Sequence, residues 1–162
     1  MGINFRSNTI IKNLRVGPLS GGGNGGGGGS IESSYLAVGA NGVNSSAGAV
    51  YVFDANNLSA TPTKLAPSGL DASDYFGGSV TATSNHIVVG ATGDDDQASY
   101  AGAVYVYDAN NLSATPTKLS PSGLIAGDYF GHSVAVTSNH IVIAASEDST
   151  LDTDSGAIYV PA

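Results

Sequence analysis

The chain has 162 residues, a formal net charge of −8 and no cysteine, which excludes disulfides, thiolate chemistry and cysteine-ligated zinc. Charged residues make up only 11% of the sequence, while glycine, serine, threonine, asparagine and alanine are abundant. Such small uncharged residues favour tight turns and closely packed sheets over solvated helices.

The first segment, residues 1–20, is basic and partly apolar. It contains Arg6, Lys12 and Arg15 and no acid. It has no continuous hydrophobic core followed by a small-residue cleavage site, so it does not resemble a signal peptide. We predict a docking or anchor peptide here that binds a virion protein or another surface protein. A solvated tail without a role is the alternative.

Residues 21–30, GGGNGGGGGS, form the second segment. Glycine is entropically expensive to order and offers no side chain to pack, so this stretch is predicted to be a flexible linker. The arrangement is therefore a peptide, a flexible connection and a body.

The body, residues 31–162, carries only two lysines, Lys64 and Lys118, against all 13 acids of the chain. Phosphate backbones would repel such a surface, so nucleic acid is not expected as a partner. No apolar run approaches the ~20 residues that span a bilayer, so no membrane insertion is predicted.

A tandem repeat with a period of about 54 residues organises the body. Residues 48–70 recur almost unchanged as residues 102–124, and residues 74–92 recur with more differences as residues 128–146. In the complete unit we predict four strands, bounded by glycine, proline, asparagine and serine clusters. The predicted strands are residues 76–83 (A), 86–91 (B), 103–108 (C) and 117–119 (D). The fold class is therefore all-β, with antiparallel sheets.

Each unit also carries a recognisable dipeptide pattern. Phe76-Gly77 is followed by Gly90-Ala91, and Phe130-Gly131 by a drifted Ala-Ala pair. Over residues 31–162 this pattern resembles the FG-GAP repeat family of integrin-α-type β-propellers, in a bacterial or phage-like version. The resemblance implies β-propeller-type blades of four antiparallel strands. It also implies that both phenylalanines support packing between blades, where the glycines let backbones approach closely.

The repeat supplies about two and a half blades. Residues 31–70 provide strands B, C and D, residues 71–124 provide all four, and residues 125–162 provide A, B and C. A closed propeller needs ~4–8 blades, and open sheet edges invite pairing with another chain. We therefore predict a ring completed by homo-oligomerisation, with a trimer as the simplest case. An incomplete ring that caps a different protein is the alternative.

Acidic loops follow strand B in two units, where the resemblance implies a Ca²⁺ loop. The candidate ligands are Asp94, Asp95 and Asp96 in one unit and Asp148, Asp152 and Asp154 in the next. Carboxylate oxygens suit Ca²⁺, but the three consecutive aspartates lack the alternation of such loops and their closing glycine. A solvated acidic loop is the alternative. The repeated His86 and His140 are expected to cap turns or lie exposed.

No nucleophile, base and orienting group form a catalytic set, so the protein is predicted not to be an enzyme. The segment order favours a structural or attachment protein on a particle surface, such as a phage fibre, spike or capsid decoration. Residues 1–20 would dock on the virion, and the propeller head would project toward a host receptor or glycan. The alternative is a secreted bacterial adhesin or glycan-binding module that depends on calcium, located outside the cell.

Overall fold

The computed structural model describes residues 35–137, 140–149 and 155–161. The predicted anchor peptide, the linker, Asp152 and Asp154 lie outside the described residues. Inside them the regular secondary structure is almost entirely β-strand. The elements are β1 (Tyr35–Gly39), α1 (Val43–Ser46), β2 (Val50–Asp54), β3 (Thr63–Leu65), β4 (Ser79–Ala82), β5 (His86–Ala91), β6 (Ala103–Asp108), β7 (Thr117–Leu119), β8 (Phe130–Val136), β9 (Ile141–Ala145) and β10 (Ala157–Tyr159).

The strands form three antiparallel sheets that follow the repeat. The first sheet has the order β1-β2-β3, the second β4-β5-β6-β7, and the third β8-β9-β10. The second sheet is a complete blade of four strands. Among the described residues, the first sheet lacks an equivalent of β4 and the third lacks an equivalent of β7. The predictions of an all-β fold and of incomplete propeller blades are confirmed.

Three of the four strands predicted for the complete unit have the observed bounds, but strand A is shorter. It was predicted to begin at residue 76, whereas β4 begins at Ser79. Gly77 has a φ of +89°, which breaks the extended backbone before the ladder starts. Phe76 instead forms an isolated parallel bridge with Gly48 of the preceding unit.

Alternation along the second sheet explains why both of its faces are apolar. On β5, Ile87 and Val89 are fully buried in a core shared with the first sheet, while Val88 is buried in a core shared with the third. Their cross-strand partners on β6 follow the same rule: Tyr105 pairs with Val89, and Val106 pairs with Val88. Because successive side chains of a strand point to opposite faces, a strand that is covered on both sides contributes residues to two cores.

The one helical element among the described residues, α1, is a turn rather than a helix. Within α1, Asn44 and Ser45 have φ angles of 52° and 56°, in the left-handed region. No helix in the described part of the chain is long and apolar enough to cross a membrane.

Candidate functional site

The junction between the first and second sheets is built around Phe76, which is fully buried. Its backbone N–H donates to the Ala47 carbonyl at 3.0 Å, next to the bridge with Gly48. Its ring meets Tyr105 and Tyr107 edge-on, with centroid distances of 5.3 and 6.5 Å. Edge-to-face pairs add to the stabilisation that burial provides. Phe76 thus connects the two sheets through both backbone and ring.

The second and third sheets meet in the same way. Phe130 forms a parallel bridge with Gly102, and its N–H donates to the Ala101 carbonyl at 2.9 Å. Its ring packs edge-on against Tyr159 at 5.1 Å. The two phenylalanines of the repeat motif therefore occupy equivalent junctions.

The glycines of the motif allow the backbones of neighbouring sheets to touch. A Cβ atom built on Gly39 would lie 2.0 Å from the Gly77 carbonyl oxygen, and one on Gly90 would lie 2.1 Å from the Gly131 carbonyl oxygen. Side chains do not tolerate such distances to backbone atoms, so each junction requires glycine at Gly39 and Gly90. The Gly131 carbonyl also accepts a hydrogen bond of 2.7 Å from the Ser79 hydroxyl.

The third unit breaks this pattern at Ala144. This residue is the repeat equivalent of Gly39 and Gly90, one position before the last residue of β9. At the other two junctions, a methyl group at this position would overlap the carbonyl oxygen of the glycine in the following Phe-Gly pair. Ala144 carries such a methyl group. The third sheet therefore cannot take a fourth blade with the same close approach.

A buried charged cluster lies at the end of β5 in the second unit. Asp94 is only 2% exposed. Its Oδ2 accepts a hydrogen bond of 3.0 Å from the Tyr105 hydroxyl and lies 2.6 Å from the Lys118 Nζ. The same Nζ is 2.6 Å from Asp96 Oδ2 and 5.5 Å from the centre of the Tyr105 ring. We call these four residues the lysine–aspartate cluster.

The backbone positions three of the four members of the lysine–aspartate cluster. Tyr105 on β6 and Lys118 on β7 are directly paired, so their side chains share a face of the sheet. The loop after β5 returns to β6 through a hydrogen bond of 2.9 Å from the Gly102 N–H to the Asp94 carbonyl. The loop thereby brings the Asp94 carboxylate to the face where Tyr105 and Lys118 project.

Electrostatics in the cluster favour a charged lysine and a neutral tyrosine. Burial lowers the pKa of Lys118, but hydrogen bonds to Asp94 and Asp96 outweigh it and raise the pKa above the ordinary value. Burial raises the pKa of Tyr105 to about 12, and the negative charge of Asp94 adds to the rise. The lysine ammonium is the counter-ion of the buried carboxylate.

The other two units retain this arrangement only in part. In the third unit Asp148 is 1% exposed and its carboxylate accepts a hydrogen bond from the Tyr159 hydroxyl. In the first unit Val43 stands at this position, as shown by the hydrogen bond of its carbonyl with Gly48, the counterpart of the Gly102 bond to Asp94. The equivalent lysine of the first unit, Lys64, is exposed.

A second pair of repeated aspartates stabilises the loop before each Phe-Gly motif. Asp74 Oδ2 accepts from the Asp71 N–H at 2.9 Å, and Asp128 Oδ2 accepts from the Ile125 N–H at 2.7 Å. Burial raises the pKa of Asp74, with a contribution from the negative charge of Asp94, although the Asp71 hydrogen bond opposes the shift. The Oδ1 atom of Asp128 is buried without a hydrogen-bond partner.

The predicted calcium ligands are only partly brought together. Asp94 and Asp96 share Lys118, Asp95 is exposed, and Asp148 contacts Tyr159. Ca²⁺ takes about six to eight oxygen ligands, whereas the second-unit carboxylates here surround an ammonium group. The arrangement therefore fits a lysine better than Ca²⁺. The described residues contain no group of three or more histidine or acidic side chains that could hold a metal. Calcium binding stays a prediction.

The repeated histidines lie at equivalent turns. The His86 N–H donates to the Thr83 hydroxyl at 3.1 Å, and the His140 N–H donates to the Thr137 hydroxyl at 3.0 Å. Both backbones thus close a turn before a strand. His132 is exposed on β8.

Two open grooves run between adjacent sheets at equivalent places. The first, about 450 Å³, lies between Lys64 and Pro67 of the first unit and Tyr105 and Tyr107 of the second. The second, about 360 Å³, lies between Lys118 and Pro121 of the second unit and the last strand of the third. Lys64 and Lys118 contribute polar groups to their walls, and Tyr105, Tyr107, Phe130 and Tyr159 contribute aromatic rings.

These blades and junctions define a β-propeller-type repeat protein. The sequence pattern of the FG-GAP repeat matches residues 61–107 and 115–160, which together make up more than half of the chain. The chain belongs to the FG-GAP repeat family, and such repeats point to a β-propeller-like surface or adhesion module. A comparison with curated proteins finds no match.

The lysine–aspartate cluster was not foreseen from the sequence. The available signal was the register of the repeat, which sets a lysine of strand D opposite a tyrosine of strand C in two units. That register alone does not reveal which unit has an acid within reach.

Proposed function

We propose that the protein is a non-enzymatic structural or attachment protein on the surface of a particle such as a phage virion. In this proposal residues 1–20 bind the particle, residues 21–30 provide flexibility, and the blades form an outward head. The family supports the structural and attachment role. The charge contrast supports the orientation, since three cations lie in the first 30 residues and all the acids follow.

The observation that carries the proposal is the incompleteness of the terminal sheets. Among the described residues, β1 and β10 are edge strands with no partner on their outer sides. Exposed strand edges favour pairing with other chains. We propose a homo-oligomer in which copies supply the missing sheet, with a trimer as the simplest case. Because of Ala144, the contact made by the third sheet has to differ from the two junctions inside the chain.

Light scattering on a sizing column tests the oligomer. A discrete species of three chain masses is expected, and a monodisperse monomer would contradict it. Mass spectrometry of particles sedimented from a culture that makes the protein tests the location. We expect the full-length chain in the particle fraction and a chain without residues 1–20 in the supernatant. Equal incorporation of both chains would refute the docking role.

A second candidate function is a secreted bacterial adhesin or glycan-binding module. The open grooves between blades favour it, because exposed polar residues of the first groove, such as Lys64, Ser113 and Thr115, are suited to bind sugar hydroxyls. A glycan array measured with calcium and with a chelator tests this candidate. Binding that is lost in Ser113→Ala, a change at an exposed residue of the groove, would support a sugar site there, and an array without signal would remove the candidate.

A further inference from the structure

We propose that the outer edge of β10 binds an added antiparallel strand that carries a lysine opposite Tyr159. This deepens the proposed function and rests on the open outer edge of β10 that it invokes, since it names the kind of strand that the edge binds. The evidence comes from the two sheets that already have their outermost strand, from the exposure of β10 and from the position of Asp148.

The complete sheets show which strand this edge is shaped to bind. β2 pairs with β3, and β6 pairs with β7, in the same register over three residues. Both outer strands have the sequence Thr-Lys-Leu, with the lysine opposite Tyr51 or Tyr105. The corresponding tyrosine of β10 is Tyr159. A strand added in the same register would therefore place its central residue opposite Tyr159.

The edge of β10 lacks the charged residue that helps to protect the other outer edges, although β10 is also only three residues long. β3 and β7 are only three residues long, and each has a central lysine, which discourages further pairing. β10 contains no charged residue. Its Ile158 and the following Val160 are 73% and 55% exposed, although both are large and apolar. Pro161 lies beyond the three positions that would pair, so its missing N–H does not interrupt the ladder.

Asp148 indicates that the central residue of the added strand is a lysine. Its carboxylate is buried and bound by the Tyr159 hydroxyl, just as Asp94 is bound by Tyr105. In the second unit the lysine opposite Tyr105 reaches Asp94 from the outer strand. An added lysine opposite Tyr159 would reach Asp148 by the same path and form a charge-assisted hydrogen bond in a buried setting. The second groove, which Tyr159 and Val160 line, is the space through which it would pass.

A peptide with the sequence of residues 113–122, SATPTKLSPS, tests the proposal by fluorescence anisotropy with the full chain. We expect saturable binding, and binding about tenfold weaker when methionine replaces the lysine of the peptide. In the Asp148→Asn chain the two peptides should bind equally, because the asparagine still accepts from Tyr159 but carries no charge. Equal binding of the two peptides to the unchanged chain would refute the role of lysine.

A covalent version removes the entropic cost of capturing a short peptide. The last two residues, 161–162, are replaced by a copy of residues 107–124, so that the repeat continues into its own outer strand. We expect a higher melting temperature than that of the natural chain, with a smaller rise when the lysine of the added strand is methionine. If the peptide does not bind and the extension leaves the melting temperature unchanged, the edge is not a strand acceptor.

Discussion

Gly90 and Gly131 touch across the junction between the second and third sheets, so closely that a methyl group on Gly90 would lie 2.1 Å from the Gly131 carbonyl oxygen. One contact therefore involves two glycines from neighbouring units. The first belongs to the Gly-Ala pair of one unit, and the second belongs to the Phe-Gly pair of the next unit. The repeat motif describes a junction between units rather than a site within one.

This contact predicts a large effect of a single methyl group. Gly90→Ala should destabilise the fold by about 2–3 kcal/mol, because the obstacle is a backbone oxygen that cannot rotate away. Gly69→Ala is the matched control, since a Cβ atom at Gly69 meets nothing within 4 Å. The control should be neutral or slightly stabilising. Urea denaturation followed by circular dichroism measures both, and equal midpoints would contradict the close contact.

The aromatic side of the junction gives a second prediction. Phe76→Ala should lower the free energy of unfolding by about 3–5 kcal/mol, since it removes a fully buried ring and two edge-on contacts. Leu58→Ala removes a large side chain that is 47% exposed and should change stability by less than about 0.5 kcal/mol. Thermal unfolding compares the two. A small loss for Phe76→Ala would mean that the ring does not connect the sheets.

The two lysines of the body offer a matched comparison. Lys118→Met should destabilise the fold by about 2–3 kcal/mol, because it leaves the buried Asp94 charge without its cation. Lys64→Met changes the same position of the first unit, where Val43 replaces the acid, and should stay within about 0.5 kcal/mol. Chemical denaturation at neutral pH separates them. Similar losses in both variants would show that the ion pair contributes little.

The lysine–aspartate cluster also predicts a loss of stability at alkaline pH. Tyr105 has a pKa of about 12 in the fold against about 10 when unfolded, so the folded state holds its proton more tightly. The raised pKa of Lys118 acts in the same direction. Both contributions are complete below about pH 10 and are lost as the pH rises through the folded pKa values.

Stability curves between pH 8 and pH 12 provide the measurement. Tyr105→Phe should lose about 1–2 kcal/mol less than the natural chain between pH 10 and pH 12. Tyr51→Phe, the same change in the first unit, should follow the natural curve because Tyr51 is less buried than Tyr105 and has Val43 in place of the aspartate. Parallel curves for all three chains would refute the assignment.

Local sequence was enough to predict most of the second sheet. Strands β5, β6 and β7 have their predicted bounds, because apolar runs with alternating faces end at strong turn signals. Strand A was predicted to begin at Phe76, but the ladder starts at Ser79. Phe76 is apolar because it packs at the junction with the preceding unit. The residue pattern of a single strand does not show whether a side chain packs within its own unit or against a neighbouring unit.

Side-chain pairing in the loops was beyond sequence reasoning. Lys64 and Lys118 lie in almost identical segments, yet only Lys118 lies against a buried aspartate. The difference comes from a residue far from either lysine in the sequence, at the position of Asp94 and Val43. Burial likewise distinguishes Asp94 from Asp95, which is its exposed neighbour. Only the folded loop decides which carboxylate turns inward.

Ala144 has a consequence for how large an assembly can grow. Contacts that join the front of one subunit to the back of the next, and that do not close into a ring, produce open-ended fibres. Repeat blades that offer the same contact surfaces in every unit can therefore form open-ended fibres. At the third blade the alanine methyl group removes the fit that the preceding glycines provide. In the proposed homo-oligomer this methyl group would prevent further blades from adding with that fit, and would favour an assembly of fixed size over an open-ended polymer.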